Sequence, residues 1–275
     1  MALWQTTRFR LDLTRPLVMG IVNNTPDSFS DGGHHNSVTA ALHHAEKLLK
    51  DGAHILDIGG ESTRPGSPAV PLEEEMRRVL PFVQAAVQFG VPISVDTYKA
   101  QVMQAVLDAG ADIINDVWAL RQPGAQSVVA NHPHCGVVLM HMHKTPQDMQ
   151  QTPMQGDAVA QVQDFLAQQT QALVALGVER QRIVWDYGIG FGKTVAQNFA
   201  LLAHQTALTR QGFALLAGWS RKSSLGQVTN LSVEERMVPS VAAAVLAVER
   251  GARIVRVHDV AETVSVLAVW QAMHD

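Results

Sequence analysis

The sequence predicts an α/β protein with a (β/α)8 TIM barrel fold, in one domain spanning residues 1–275. Three segments share a pattern in which a helix ends at a glycine and a β-branched run follows at once, at residues 52–55, 110–113 and 251–254. The candidate strands are apolar throughout, which is typical of parallel strands covered by helices. Eight such units in this length favour a closed barrel, and an open doubly wound sheet is the alternative.

Each predicted strand is followed by a predicted helix, and no Pro/Ser-rich linker divides the chain. Short apolar runs bounded by Gly, Asp or Asn predict strands at 16–23, 54–59, 92–97, 112–117, 136–142, 182–187, 213–218 and 253–259. Amphipathic stretches predict helices at roughly 36–51, 72–89, 99–109, 123–131, 155–176, 195–210, 233–250 and 260–273.

The connections after the first and second strands, 24–35 and 60–71, are long βα loops. A βα connection usually has about 2–6 residues. Loops of this length at the carboxyl end of a barrel are candidates for lids over a site.

Composition and charge exclude several classes of partner. The formal net charge is −4 and no stretch is dense in Lys or Arg, which argues against a nucleic acid or a membrane surface. The apolar runs are shorter than the roughly 20 residues of a membrane span, and the N-terminal stretch lacks the apolar core of a signal peptide. One cysteine, Cys135, can form no internal disulfide. We therefore expect a cytoplasmic protein that binds small molecules.

Polar side chains are predicted to converge at the carboxyl ends of the strands. Asp57, Asn115 and Arg256 each lie five residues after a helix-ending glycine, so they should share one orientation, toward the barrel interior. Further polar residues end other strands: Asn23, Asp96, Asp186 and His258. Barrels of this class carry their chemistry at this end, although any one such residue can instead cap a helix or a turn.

The residue types suggest two halves of a site. Asp96, Asn115 and Asp186 offer acceptors to the N–H groups of an aminopyrimidinone ring, and Lys222 could donate to its carbonyl, which describes a pterin. Lys222 as a covalent nucleophile is the alternative. The second half combines cations and polar groups suited to a phosphate or diphosphate: Asn23, Arg64, Arg256 and His258.

Two short motifs resemble other kinds of site. Residues 188–194, GIGFGKT, end like a phosphate-binding loop, but Tyr187 stands where that motif needs glycine. We interpret them as a rim for a flat ligand, with Phe191 available for stacking. His141 and His143 resemble half of a zinc site, which needs three or four converging ligands, so we expect no transition metal.

Eight segments, in chain order, resemble those of the dihydropteroate synthase family: MGIVNNTPDSFSDGG, DIGGESTRPGS, SVDTYK, INDV, LMHM, GIGFGK, SRKS and RVHDV. They span almost the whole chain. The resemblance implies a homodimeric (β/α)8 enzyme that condenses 6-hydroxymethyl-7,8-dihydropterin diphosphate with 4-aminobenzoate. The products are 7,8-dihydropteroate and pyrophosphate, and sulfonamides compete at this folate step.

The resemblance also implies roles for individual residues. The pterin diphosphate would be bound by Thr63, Asp96, Asn115, Asp186, Lys222, Arg256 and His258. The aminobenzoate pocket would be bordered by Phe29, Thr63, Pro65, Phe191 and Ser220. Asn23 would bind Mg²⁺ together with the diphosphate. The catalytic candidates are Arg64, Lys222, Arg256 and His258. Two positions depart from the family's pattern, beside these contacts: Asn24, where an aliphatic residue is usual, and Tyr187, where proline is usual.

Two other functions are open to the same residues. A corrinoid-type pterin methyltransferase would share the barrel and the Asp/Asn pterin contacts, but it needs no diphosphate site. A non-catalytic pterin-binding protein would need neither the anion-binding residues nor the long loops. The segments TPDSFSDGG, STRPG and RVHD favour the synthase over both.

Overall fold

The computed structural model describes residues 2–23, 33–63, 66–145, 148–149 and 151–274. The strands in these residues are β1 (Leu3–Gln5), β2 (Arg10–Asp12), β3 (Leu17–Asn23), β4 (Ile55–Gly59), β5 (Ile93–Asp96), β6 (Ile113–Asp116), β7 (Gly136–Met140), β8 (Ile183–Asp186), β9 (Ala214–Ala217) and β10 (Ile254–Val257). The strands β3 to β10 are parallel and close into a barrel in chain order, with β10 beside β3. This confirms the predicted fold class and excludes the open sheet.

Helices surround the barrel. They are α1 (Gly33–Lys50), α2 (Leu72–Ala86), α3 (Ala100–Asp108), α4 (Ala125–Asn131), α5 (Ala158–Ala175), α6 (Val195–Ala203), α7 (Gln205–Thr209), α8 (Ser223–Thr229), α9 (Met237–Glu249) and α10 (Val260–His274). Single 3-10 turns occur at Val87–Phe89 and Arg180–Arg182. None of the helices described in these ranges has the length and apolar character needed to cross a bilayer.

Local chemistry explains where several helices begin and end. Asp157 caps α5, since its Oδ1 accepts from the backbone N–H groups of residues 159 and 160. Thr194 and Gln197 form a capping box at the start of α6. The single helix predicted at 195–210 is two helices, α6 and α7, which meet at His204. The sequence did not predict α8, because seven residues are too few to show a helical period.

The sequence also missed an antiparallel hairpin of β1 and β2 at the amino end of the barrel. Trp4 and Leu13 are buried against the first inward-facing residues of the barrel strands. Arg8 fixes the hairpin loop through Asp112, with Nη2 2.6 Å from Oδ2. The strands have three residues each, which is too short for alternation to be visible. The hairpin therefore acts as an apolar plug under the barrel.

Alternate strand residues enter two separate cores. Ile55 packs inside the barrel with Met19 and Ile113. Leu56 and Ile58 pack outward against the helices. Since both faces are covered, the strands are apolar throughout, as predicted. Inward positions nearer the carboxyl end are polar, which places a polar layer above the apolar interior.

Candidate active site

Asp57 is the centre of a hydrogen-bond network inside the barrel. Its carboxylate accepts from Ser94 Oγ at 2.6 Å, from Asn115 Nδ2 at 3.2 Å and from Arg256 Nε at 2.6 Å. Arg256 also donates from Nη2 to Asp96 Oδ2 at 3.0 Å. A fully buried carboxylate needs such partners, and the guanidinium supplies the opposite charge. The predicted convergence of Asp57, Asn115 and Arg256 is confirmed.

Two carboxyl groups of the polar layer are electrostatically unusual. Burial raises the pKa of Asp96 to about 7, against the charge of Arg256, which lowers it. Burial also raises the pKa of Asp186, while the hydrogen bond from Gly188 N, at 2.7 Å, and the charge of Lys222 lower it. Perturbed pKa values of this kind are typical of functional sites. When ionised, both groups can accept hydrogen bonds from a ligand.

Lys222 follows β9 and lies close to two predicted site residues. Its Nζ lies 4.3 Å from the ring centroid of Phe191, a cation–π distance. Burial lowers the pKa of Lys222 to about 8, while the charge of Asp186 raises it. The sequence predicted all three residues for one site, and the structure brings them together. Lys222 remains largely protonated at neutral pH, which suits a hydrogen-bond donor better than a nucleophile.

Two glycines leave space above this polar layer. A Cβ at Gly59 would lie 3.8 Å from Asn23 Oδ1 and 3.9 Å from the Cβ of Asp96. A Cβ at Gly218 would lie 3.9 Å from Asp186 Oδ2. Any longer side chain would project over these polar groups. This role could not be predicted from the sequence, because it depends on residues that meet only across strands.

The structure describes some of the residues predicted to bind the diphosphate and the aminobenzoate, but not all of them. Ser220 Oγ lies 2.9 Å from His258 Nδ1 and accepts from His258 N at 3.1 Å. Asn23 ends β3 beside Gly59. Thr63 lies, partly buried, at the start of the β4–α2 connection. Three predicted site residues and one departure lie outside the described residues: Phe29, Arg64, Pro65 and Asn24.

Lys193 is a buried residue that sequence reasoning missed. Its Nζ donates to the carbonyl oxygens of Gly188 at 2.8 Å, His141 at 3.2 Å and Phe191 at 3.2 Å. A Cβ at Gly188 would lie 1.9 Å from His141 O, so the loop can lie this close only with glycine there. Lys193 therefore holds the GIGFGK loop and Phe191 in place, and it does not form a phosphate-binding loop.

The two histidines of the His141-x-His143 pair have different surroundings. Burial lowers the pKa of His141 to about 2, and its ring packs edge-on against Phe165 at 5.0 Å. His143 lies beside the glycine loop, where a Cβ at Gly192 would meet it. Among the residues that the structure describes, no cluster of three or more His, Cys, Asp or Glu is arranged to hold a metal ion.

The departure at Tyr187 is accommodated outside the polar layer. The ring is fully buried, and its hydroxyl donates to Gln205 Oε1 at 2.8 Å. The same hydroxyl accepts from Trp219 Nε1 at 3.1 Å. Tyr187 thus ties the turn after Asp186 to α7, which gives this turn a fixed support without proline.

The chain is similar in sequence and in fold to known proteins over nearly its whole length. The family model described as "Pterin binding enzyme" matches residues 19–258. The dihydropteroate synthase of Neisseria meningitidis serogroup B is 48% identical over 276 aligned residues, which cover 98% of this chain and 97% of that protein. The structure of Xanthomonas albilineans dihydropteroate synthase with 4-aminobenzoic acid superposes with a TM-score of 0.91 at 52% identity, covering 96% of this chain and 95% of that one. The Burkholderia cenocepacia enzyme, complexed with 7,8-dihydropteroate, gives a TM-score of 0.91 at 49% identity, covering 99% and 96%.

Proposed function

Since this chain belongs to the pterin-binding enzyme family, we infer that it is a dihydropteroate synthase, a transferase of folate biosynthesis. It condenses 6-hydroxymethyl-7,8-dihydropterin diphosphate with 4-aminobenzoate to give 7,8-dihydropteroate and pyrophosphate. The observation that carries this conclusion is the polar layer in the barrel mouth, where Asp96, Asn115 and Asp186 are held beside Lys222 and Arg256. We propose that Arg256 packs on the face of the pterin ring. The ring's hydrogen bonds are made by Asp96, Asn115, Asp186 and Lys222.

The substrates bring the reactive groups with them. The C–O bond between the pterin methylene and the diphosphate breaks, and pyrophosphate leaves with the bonding electrons. The aromatic amine forms the new C–N bond and gives up a proton. No protein nucleophile is needed, so the chain has to bind, orient and stabilise charge.

We propose a dissociative substitution, in which positive charge develops on the pterin methylene before the amine bonds. The carboxylates of Asp96 and Asp186 favour that charge, and Arg256, His258 and Arg64 favour the departing negative charge. The proposed binding residues for 4-aminobenzoate are Phe29, Thr63, Pro65, Phe191 and Ser220. Oxygen exchange within the diphosphate in the absence of aminobenzoate supports this order of steps, and a lack of exchange contradicts it.

Mg²⁺ is the proposed cofactor, and Asn23 the residue that would hold it. Mg²⁺ prefers oxygen ligands and usually takes one or two from the protein, the rest coming from substrate phosphates and water. The amide oxygen of Asn23, at the rim of the mouth beside Gly59, fits such a site. When bound, the ion supplies positive charge to the diphosphate.

A pyrophosphate assay tests the proposed function. We expect the purified protein to release pyrophosphate only when both substrates and Mg²⁺ are present, and EDTA to stop the release. Sulfonamides, which present a similar aromatic amine, should compete with 4-aminobenzoate. Pterin binding without pyrophosphate release would identify a non-catalytic binding protein instead. Turnover that requires cobalamin and a methyl donor would identify a methyltransferase.

We also propose a homodimer in the cytoplasm. Exposed apolar side chains on α9 and α10 support the dimer, since Val238, Val269 and Met273 are 68%, 73% and 69% exposed. We expect light scattering after size exclusion to give twice the chain mass of 29.8 kDa. The double variant Val269→Lys/Met273→Lys should then be monomeric.

A matched control for the dimer is Val174→Lys, which changes an exposed apolar residue on α5. It should leave the mass unchanged. A monomeric wild type, or a dimer that survives the double variant, contradicts the α9–α10 interface.

A further inference from the structure

A cluster of polar residues holds the start of the β4–α2 connection. It consists of Glu61 in that connection, Glu75 in α2, and Thr97, Tyr98 and Lys99 between β5 and α3; we call it the loop clamp. None of the five is among the residues predicted for substrate binding. Three separate segments of the chain meet here, and one of them carries Glu61, two residues before Thr63.

Lys99 joins the two carboxylates of the loop clamp. Its Nζ donates to Glu61 Oε2 and to Glu75 Oε2. Tyr98 donates from its hydroxyl to Glu61 Oε1 at 2.9 Å, and Thr97 Oγ1 donates to Glu75 Oε1 at 2.6 Å. The ammonium also lies 4.4 Å from the Tyr98 ring centroid. Glu61 thus receives two hydrogen bonds from the β5–α3 segment.

The burial of these charges makes the contacts specific. The side chains of Lys99, Glu61 and Glu75 are only 15%, 10% and 1% exposed. Burial by itself lowers the pKa of Lys99. The hydrogen bonds with Glu61 and Glu75 and their charges raise it by more in total, so the net shift of the pKa is upward. Lys99 therefore stays charged across the neutral range. A buried carboxylate that lost this partner would be costly, which favours one arrangement of the loop start.

The backbone before Glu61 is also fixed. A Cβ at Gly60 would lie 2.5 Å from Val79 Cγ2 and 3.2 Å from Glu75 Cγ, so the chain passes against α2 where only glycine fits. Arg78 Nη1 donates to Gly60 O at 3.0 Å. The direction in which the chain leaves β4 is therefore set, and Thr63 follows two residues after the clamped Glu61.

We propose that Glu61, Tyr98 and Lys99 are positioning residues, which hold the β4–α2 connection so that Thr63 lies at the barrel mouth. They act on the diphosphate and aminobenzoate side of the site through Thr63. This inference rests on the proposed function. The clamp also joins the two halves of the site, because Tyr98 and Lys99 closely follow Asp96, the proposed pterin ligand, along the chain.

Three variants test the clamp with small changes in shape. Tyr98→Phe removes one hydroxyl and no charge. Glu61→Gln removes one charge and leaves Lys99 paired with Glu75. Lys99→Met combined with Glu61→Gln removes one charge of each sign. We expect each to raise KM for 4-aminobenzoate by about tenfold or more, because small misplacements of a binding group cost large factors in rate.

Binding of the pterin ring distinguishes a positioning role from a general loss of structure. A general loss of structure would weaken ring binding, and misplacement of Thr63 alone would not. The dissociation constant of 6-hydroxymethylpterin, which lacks the diphosphate, should stay at the wild-type value in all three variants, measured by calorimetry. Glu73→Gln, an exposed carboxylate on α2, is the matched control and should change neither quantity. Lys99→Arg keeps the charge and should retain most of the activity.

The outcomes separate the clamp from the proposed function. An unchanged KM for 4-aminobenzoate in Tyr98→Phe and Glu61→Gln overturns the inference. An equal loss of ring binding also overturns it, since the residues would then only support the fold. If the lysine variant does not fold, Tyr98→Phe decides. A wild type that releases no pyrophosphate refutes the proposed function, and that result is visible before any variant is made.

Discussion

Replacing Asp96 by alanine is expected to lower kcat/KM for the dihydropterin diphosphate by about 100-fold or more, because hydrogen bonds to a charged group contribute about 1.5–3 kcal/mol each. The carboxylate is only 10% exposed and faces the barrel mouth, where Arg256 holds it from one side. The pyrophosphate assay measures this change. Asp108→Ala, on the exposed end of α3, is the control and should match the wild type. Unchanged turnover in Asp96→Ala would refute the pterin contact.

The raised pKa of Asp96 gives this prediction a pH dependence. The ionised carboxylate accepts from the ring N–H groups, and the protonated form does not. Since the pKa is about 7, kcat/KM for the pterin substrate should fall as the pH drops below about 7. Above about pH 8, Lys222 loses its proton and the value should fall again. In Asp96→Asn, which cannot titrate, the fall on the acid side should become shallower.

Replacing Arg256 by methionine is expected to lower kcat by about 1,000-fold, the loss seen when a group that stabilises developing charge is removed. It should also destabilise the fold by about 3 kcal/mol, because Asp57 would be left buried without its cation. The pyrophosphate assay gives kcat, and urea unfolding gives the free energy of unfolding. Both effects follow from one side chain that contacts two carboxylates.

Two further variants separate these effects. Arg256→Lys keeps a charge but lacks the fork that reaches Asp57 and Asp96 together, so it should recover stability more than kcat. Arg253→Met, directly before the amino end of β10, is the control and should keep wild-type kcat. A kcat that survives Arg256→Met in a folded protein contradicts the proposed role of the guanidinium.

The facing of the strand residues could be predicted because it depends on local spacing alone. Asp57, Asn115 and Arg256 lie at equal distances from their glycines, and a period of two residues then sets their orientation. Glycine before a β-branched run likewise predicted where most helices end and strands begin. Side-chain orientation and the ends of helices and strands both depend on the local sequence of one segment, so they can be predicted without knowing the rest of the fold.

The contacts between segments could not be predicted in the same way. The motif that contains Lys193 only ends like a phosphate-binding loop, and the sequence suggested no other role for this lysine; the fold shows that its ammonium donates to three backbone carbonyls. Tyr98 and Lys99 had no distinguishing pattern, because their partners Glu61 and Glu75 lie some 20 to 40 positions away in the sequence. Asp57 was predicted to face the interior, but its part as the centre of a network depends on residues from three other strands, β5, β6 and β10.

The apolar plug under the barrel determines the route by which substrates and products reach and leave the site. Trp4 and Leu13 close the amino end, and Trp4 Nε1 donates to Arg182 O at 3.0 Å, which fixes that closure. Substrates and products must therefore enter and leave through one opening, at the βα loops of the carboxyl end. The strand β1, Leu3–Gln5, lies at the end of the barrel opposite that opening. The hairpin is thus remote from the path along which ligands enter and leave, and changes in its exposed residues should leave the KM of both substrates unchanged.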